Sequence, residues 1–399
     1  MTSIKRNTAL AFSTRAIHHG YDPAEHKGAV SPPVYFTSTY SFESVEANEL
    51  AASRGGFLYA REHNPTTEIL EARLTDLEGA EACVVAGSGM AAIGSLTLSL
   101  LSQGDEIVVH RTLYSNTMAM TGEGLPRFGI KVVPVDLTNP SALDAVLSPR
   151  TRIVYFETPV NPTSDVLDIA TIAAKAHRVG ALVVVDGTFA SPALQRPIDH
   201  GADLVLHSLT KYINGHGDAL GGAILGSAET IKKIHSTGLR YITGATLSPM
   251  ASGLILRGLK TLPLRMERHS LSALQIAEFL EAHPAVAWVK YPYLASHPAR
   301  RIAEQQMSAG SGMLSFGLKS GFDGARQLLD GLSLISRAVS LGDVESLIMH
   351  PAALVRARQT IRPDAKLAPD VGEDLIRLSV GLEDTNDLMA DLEQALSKV

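Results

Sequence analysis

A chain of 399 residues with 45% hydrophobic content can bury more than one core, and a formal charge of −6 offers no basic field to nucleic acid or an anionic membrane. The single cysteine, Cys83, excludes an internal disulfide framework and a cysteine-rich metal cage. No apolar run approaches the ~18 residues of a membrane helix, and the patch behind Lys5-Arg6 is too short for a secretory signal, so a cytoplasmic protein is expected.

Residues 1–60 lack regular periodicity and carry Gly20, Pro23, Gly28, Pro32 and Pro33. A structureless stretch of that length is uncommon inside a compact domain. It reads as an arm lying across a neighbouring subunit, and the protein therefore as an oligomer. The arm ends near Tyr59-Ala60-Arg61, and Asn64-Pro65-Thr66 reads as a turn and helix start. An amphipathic helix follows through Leu70, Leu74 and Leu77.

From about residue 80, strand and helix patterns alternate. Strands are expected at 82–86, 107–110, 130–136, 152–157, 181–186, 202–207 and 219–225, and the clearest helix at 169–178. This spacing predicts an α/β domain over 61–250, with a mostly parallel sheet covered on both faces. A long helical stretch over 248–284 should kink or break at Pro263. Beyond it, strands at 288–291 and 313–318 and helices at 324–332 and 387–396 predict a smaller α+β domain over 251–399, its sheet antiparallel.

The chemistry concentrates at strand ends. Asp186 closes Ala181-Leu182-Val183-Val184-Val185, and Ser208-Leu209-Thr210-Lys211 closes the run ending in His207. In an open α/β sheet, ligands sit beyond the carboxyl ends of the strands. An aspartate facing a pyridine nitrogen and a lysine in imine linkage is what pyridoxal 5'-phosphate (PLP) needs. Ser208 and Thr210 suit its phosphate. Each residue alone reads as a helix cap or a surface lysine; together at two strand ends they point to the cofactor.

Gly87-Ser88-Gly89-Met90 follows a strand and opens a helix, an arrangement suited to a phosphate. Gly87-x-Gly89-x-x-Ala92 also matches a dinucleotide fingerprint, although His110-Arg111 stands where an acidic ribose ligand is usual. A nicotinamide oxidoreductase is thus the alternative from another class. Tyr114 is either a cofactor-stacking acid or a core aromatic. Tyr59 and Arg61 are either a phosphate clamp or an exposed pair. Arg377, alternating into an apolar strand, needs an anion: a substrate carboxylate or an internal salt bridge. No zinc pattern is present, and His18, His19, His207 and His216 read as structural.

With these residues in view, the sequence resembles the Cys/Met-metabolism family of PLP-dependent enzymes over nearly its whole length. The resemblance rests on the block from Asp203 to His216, with Tyr59-x-Arg61-x-x-Asn64-Pro65-Thr66, Ser88-Gly89-Met90, Glu157-x-Pro159-x-Asn161-Pro162, Leu341-Gly342-Asp343 and the run from Arg377 to Glu383. Within the family, Thr14 to Pro23 and Ser336 to Leu347 resemble the bacterial methionine γ-lyase group.

The resemblance implies the aspartate-aminotransferase-like fold (fold type I) and a homotetramer of two tight dimers with shared active sites. Tyr59 and Arg61 would reach the neighbour's PLP phosphate beside Ser88, Gly89, Met90, Ser208 and Thr210. Tyr114 would stack on the ring and act as acid, Asp186 would hold the pyridine nitrogen, and Lys211 would carry the cofactor. Asn161 would lie near the cofactor hydroxyl, and Ser340 and Arg377 would hold the substrate carboxylate.

The implied reaction is γ-elimination of L-methionine to methanethiol, 2-oxobutanoate and ammonia. The alternatives are cleavage or synthesis of cystathionine and γ-replacement on an O-acyl-homoserine. Four features depart from the group's pattern. They are Asn116 in place of cysteine, Arg240-Tyr241 in place of Lys-Asp at the substrate mouth, Gly187 in place of asparagine, and residues 354–370 with Arg356, Arg358 and Arg362.

Overall fold

A computed structural model describes residues 10–399. The first nine residues of the expected arm, with Lys5-Arg6, lie outside it. Seven strands form the larger sheet: β1 (Ala82–Ala86), β2 (Glu106–His110), β3 (Lys131–Val135), β4 (Thr151–Glu157), β5 (Leu182–Asp186), β6 (Leu204–His207) and β7 (Gly222–Gly226). Their order across the sheet is β1-β7-β6-β5-β4-β2-β3. Only β7 runs against the others, pairing antiparallel with both β1 and β6. A parallel return needs a crossover, usually a helix. Residues 208–221 form an irregular loop instead, so the chain comes straight back.

The central strands are buried on both faces because each is an unbroken apolar run, Val183-Val184-Val185 being fully enclosed. Beneath the sheet, Leu70, Leu74 and Leu77 of the helix Pro65–Glu78 pack against Leu209, Tyr212, Ile255 and Leu259. Each such leucine contributes about 1.5–3 kcal/mol when buried. Asn64 starts this helix by accepting the Thr66 amide at 3.0 Å, with Pro65 in the first turn, where no amide hydrogen is needed.

The smaller sheet contains β8 (Val286–Lys290), β9 (Met313–Leu318), β10 (Ser336–Arg337), β11 (Leu347–Met349) and β12 (Leu375–Ser379), in the order β10-β11-β12-β9-β8. It is antiparallel except for β10 and β11, which run parallel. The irregular connection between them is long enough to carry the chain back to the same end. The expected break at Pro263 falls slightly earlier: one helix ends at Leu259 and the next spans Leu262–Ala282. Pro263 sits in the opening turn of the second helix, where it costs nothing. That helix buries Leu262 and Met266 in the first core, and Ala273, Ile276, Ala277 and Leu280 in the core over the smaller sheet.

The stretch before residue 60 is not structureless. It holds the helices Phe12–His18 and Val45–Arg54 and a bridge between Thr39 and Tyr59. Helix Val45–Arg54 has a Ser44 cap on the Ala47 amide and a left-handed Gly55 at its end, but buries none of its residues in this chain. A helix without a buried face leaves no apolar period to read.

Candidate active site

Beyond the carboxyl ends of β4, β5 and β6, the structure encloses a cavity of about 600 Å³. Ser88, Gly89, Met90, Tyr114, Asn116, Asn161, Asp186, Ser208, Thr210, Lys211, Ser340 and Arg377 all line it. The fold brings these together by a short series of hydrogen bonds. Lys211 Nζ donates to Ser340 Oγ at 2.8 Å, and Arg377 donates to Ser340 O and to Asn161 Oδ1, both at 2.9 Å. Glu157 accepts the amide of Tyr114 at 2.7 Å and that of Asn161 at 3.4 Å. Asn116 Nδ2 donates to the hydroxyl oxygen of Tyr114 at 2.9 Å.

Electrostatics follow from burial. Lys211 is pulled below the ordinary lysine range, first by desolvation and then by the Arg377 charge, with Asp343 opposing. Burial pulls Arg377 down to about 10. Among the described residues no carboxylate forms an ion pair with Arg377; its partners are the neutral oxygens of Asn161 and Ser340. The internal salt bridge considered for it is therefore not what it makes. Burial pushes the Asp186 carboxyl up, against the hydrogen bonds from Thr188, whose amide donates at 2.9 Å. Burial and the neighbouring Asp186 charge push Glu157 up as well.

Three residues stand apart. Tyr59, Arg61 and Arg240 do not line this cavity. The Arg61 guanidinium lies over the Tyr59 ring and donates to the Arg240 carbonyl, while Arg240 Nε pairs with Glu62 at 3.1 Å. Thr210 lines the cavity, but its hydroxyl is engaged with Gly221, accepting that amide at 3.0 Å. His207 pairs with Glu78 at 2.7 Å in full burial, and His216 bonds the Asn214 carbonyl. A Cβ on Gly187 would lie 2.8 Å from the His207 ring, so glycine there makes room for this pair. Among the described residues no cluster could hold a metal ion.

Sequence reasoning gave no role to Glu157, Tyr155 or Thr188. Tyr155 donates to Asp186 at 3.3 Å, and Thr188 Oγ1 accepts the Ser208 amide at 2.9 Å. Glu157 could have been found, because it ends a strand and opens the Glu-x-Pro-x-Asn-Pro motif. Tyr155 faces inward by strand alternation alone, which marks many core residues.

PLP fits this lining. Asp186 is a half-buried carboxylate that no lysine or arginine pairs with among the described residues, and a protonated ring nitrogen would supply its counter-charge. Ser88 caps the helix Gly89–Leu100 through the Ala91 amide, leaving the amides of Gly89 and Met90 for a phosphate. The loop lies close to Ser208 because residue 89 is glycine: a Cβ there would sit 3.1 Å from that of Ser208. A dinucleotide unit fits less well. Its strand should be a parallel one flanked by a crossover, whereas β1 is an edge strand paired only antiparallel with β7.

The family model described as Cys/Met metabolism PLP-dependent enzyme matches residues 13–397. The L-methionine gamma-lyase of Pseudomonas putida is 48% identical over 392 residues, covering 98% of each chain. That of Treponema denticola is 44% identical over 394 residues, again 98% of each. A cystathionine gamma-synthase of Mycobacterium tuberculosis is 43% identical over 384 residues, 96% of each. The crystal structure of metB from Corynebacterium glutamicum matches with a TM-score of 0.92 at 37% identity, covering 99% of this chain and 100% of that one.

Proposed function

Because the chain belongs to the Cys/Met metabolism family of PLP-dependent enzymes, we propose that it cleaves the Cγ–S bond of L-methionine, releasing methanethiol, 2-oxobutanoate and ammonia. The observation that carries this reading is Arg377. It is a buried guanidinium with no carboxylate partner among the described residues, linked through Ser340 to the amine of Lys211. An α-amino acid bound by its carboxylate at Arg377 places Cα beside that amine. When bound, PLP supplies an electron-accepting ring that takes up the charge left when the Cα–H bond breaks.

The chain's own residues divide the remaining work. Lys211, its amine made easier to deprotonate by burial, takes the α-proton and then a β-proton. Tyr114 gives its proton to the departing thiolate. Asn116 donates to the Tyr114 oxygen, which turns the hydroxyl proton away from Asn116 and toward the cavity. Asp186 would hold the ring nitrogen, with Tyr155 and Thr188 fixing its carboxyl. Ser88, Ser208, Thr210 and the Gly89 and Met90 amides would hold the phosphate, and Asn161 the ring hydroxyl.

We place Tyr59, Arg61 and Arg240 at a partner's cavity, in a homotetramer of two dimers with shared sites. Their distance from their own chain's cavity supports this, as do exposed apolar side chains such as Phe36 (80%) and Tyr241 (69%). On this reading the segment before residue 60 is the arm that reaches the neighbour, 61–250 binds the cofactor and 251–399 closes the site. Among the described residues no helix is long and apolar enough to cross a membrane; we place the enzyme in the cytoplasm.

The test is to give L-methionine to the purified holoenzyme and follow 2-oxobutanoate and methanethiol together. Equal, sustained release of both is expected. Release of neither, with rapid use of an O-acyl-homoserine and a thiol, would move the assignment to γ-replacement, the activity class of the cystathionine gamma-synthase relative.

A further inference from the structure

The outer wall of the cavity is built by residues 351–371, the stretch whose arginines departed from the family pattern. Helix Pro351–Arg358 and the irregular, turn-rich chain after it contribute to the cavity lining. The segment is fixed at its far end by Asp370, which accepts hydrogen bonds from Arg111 and, at 2.6 Å, from Thr112. Three of its cations line the cavity: Arg358, Arg362 and Lys366. Arg362 spends its charge within the protein, pairing with Glu123 at 2.7 Å and lying 3.8 Å from Asp364. Arg358 and Lys366 form no ion pair among the described residues. Two unneutralised cations thus line the same cavity as Arg377. Val339 and Leu354 add apolar surface to the same lining.

We propose that Arg358 and Lys366 form a second anion-recognition subsite, which selects amino acids whose γ-substituent ends in a carboxylate. This rests on the γ-cleavage reading and sharpens it. Arg377 takes the α-carboxylate, the apolar wall takes the methylene and sulfur of the side chain, and the outer cations take the terminal anion. Glu123 and Asp364 also line the cavity, but both lie against Arg362, so this part of the lining keeps a net positive charge. Guanidinium groups also bind carboxylates in a two-pronged, charge-assisted geometry. A neutral thioether such as methionine fills the apolar stretch and leaves both cations in water.

The experiment compares two homocysteine thioethers of the same shape, S-carboxymethyl-L-homocysteine and its carbamoylmethyl amide, on the holoenzyme. The inference expects kcat/KM to favour the carboxylate by about tenfold at low ionic strength, the scale of two partly exposed charge pairs. The preference should shrink as salt is added. It should fall toward parity in an R358Q/K366Q variant. Parity in the wild type, or a preference that survives the double substitution, overturns it. Dissociation constants from calorimetry give the same ratio without turnover. Absence of 2-oxobutanoate from both compounds therefore counts against γ-cleavage, while the affinity ratio still decides the subsite.

Discussion

Asn116 donates to the hydroxyl oxygen of Tyr114 at 2.9 Å, and this bond orients the group we propose as the acid for a leaving thiolate. Removing it in Asn116→Ala leaves Tyr114 free to rotate. An expected fall in kcat of about threefold to tenfold follows from the net worth of one hydrogen bond. Steady-state kinetics on L-methionine check it, with KM changing less than kcat. At Glu71, burial pushes the carboxyl up from 4.5 to about 8, with the Val85 amide, bonded at 3.0 Å, opposing. The fold therefore favours the protonated acid. That contribution is fully present below about pH 4.5 and is lost as pH rises through about 8. Glu71→Gln keeps an acceptor for Val85 and removes the titration. The Tm of the wild type should fall relative to the variant across that window. Residual solvent contact at Glu71 moderates the size of the change and leaves its sign.

Among the elements, the helix Leu262–Ala282 does the most positioning. Its Arg265 donates to the carbonyls of Tyr212, the residue after Lys211, at 2.7 Å and of Gly258 at 2.9 Å. The loop meets it through Gly215, whose φ of +68° suits glycine and where a Cβ would collide with the guanidinium. Arg265→Met leaves buried carbonyls unpaired, which costs about 1–3 kcal/mol each. A loss of several degrees in Tm is expected, with weaker retention of PLP on dialysis because Lys211 lies on the freed loop. Retention equal to wild type in a folded variant would separate this helix from the site. The larger sheet follows patterns legible in the chain, its buried strands being continuous apolar runs, whereas the short β10 and β11 of the smaller sheet were not legible, and Pro263, read as a break, opens a helix. Helix Val45–Arg54 was hidden because its stabilising face is not within this chain's core.

For the whole molecule, the decisive geometry is that Tyr59, Arg61 and Arg240 sit together, away from the cavity their own chain builds. Shared sites make a clear prediction. Lys211→Ala and Arg61→Ala chains, each nearly inactive alone, should recover activity when unfolded and refolded together. A mixed dimer carries both lesions at one site and none at the other, so random mixing restores about a quarter of the sites. No recovery, with mixed dimers demonstrated, would mean that each chain completes its own site.

The sequence by itself determined the α/β class, the strand ends and the cofactor chemistry, because those follow from local runs: an apolar strand, then Asp186 or Lys211. It also placed Arg377 in an apolar strand in need of an anion. Only the tertiary structure decided that no carboxylate among the described residues meets it, since its partners Ser340 and Asn161 come from 37 and 216 positions away. It alone showed Asn161 and Ser340 as neutral partners, Glu157 as the brace of Tyr114, and residues 354–370 as the outer wall. Those contacts are set by how the smaller sheet docks across the strand ends of the larger one. No periodicity within a single segment encodes that docking.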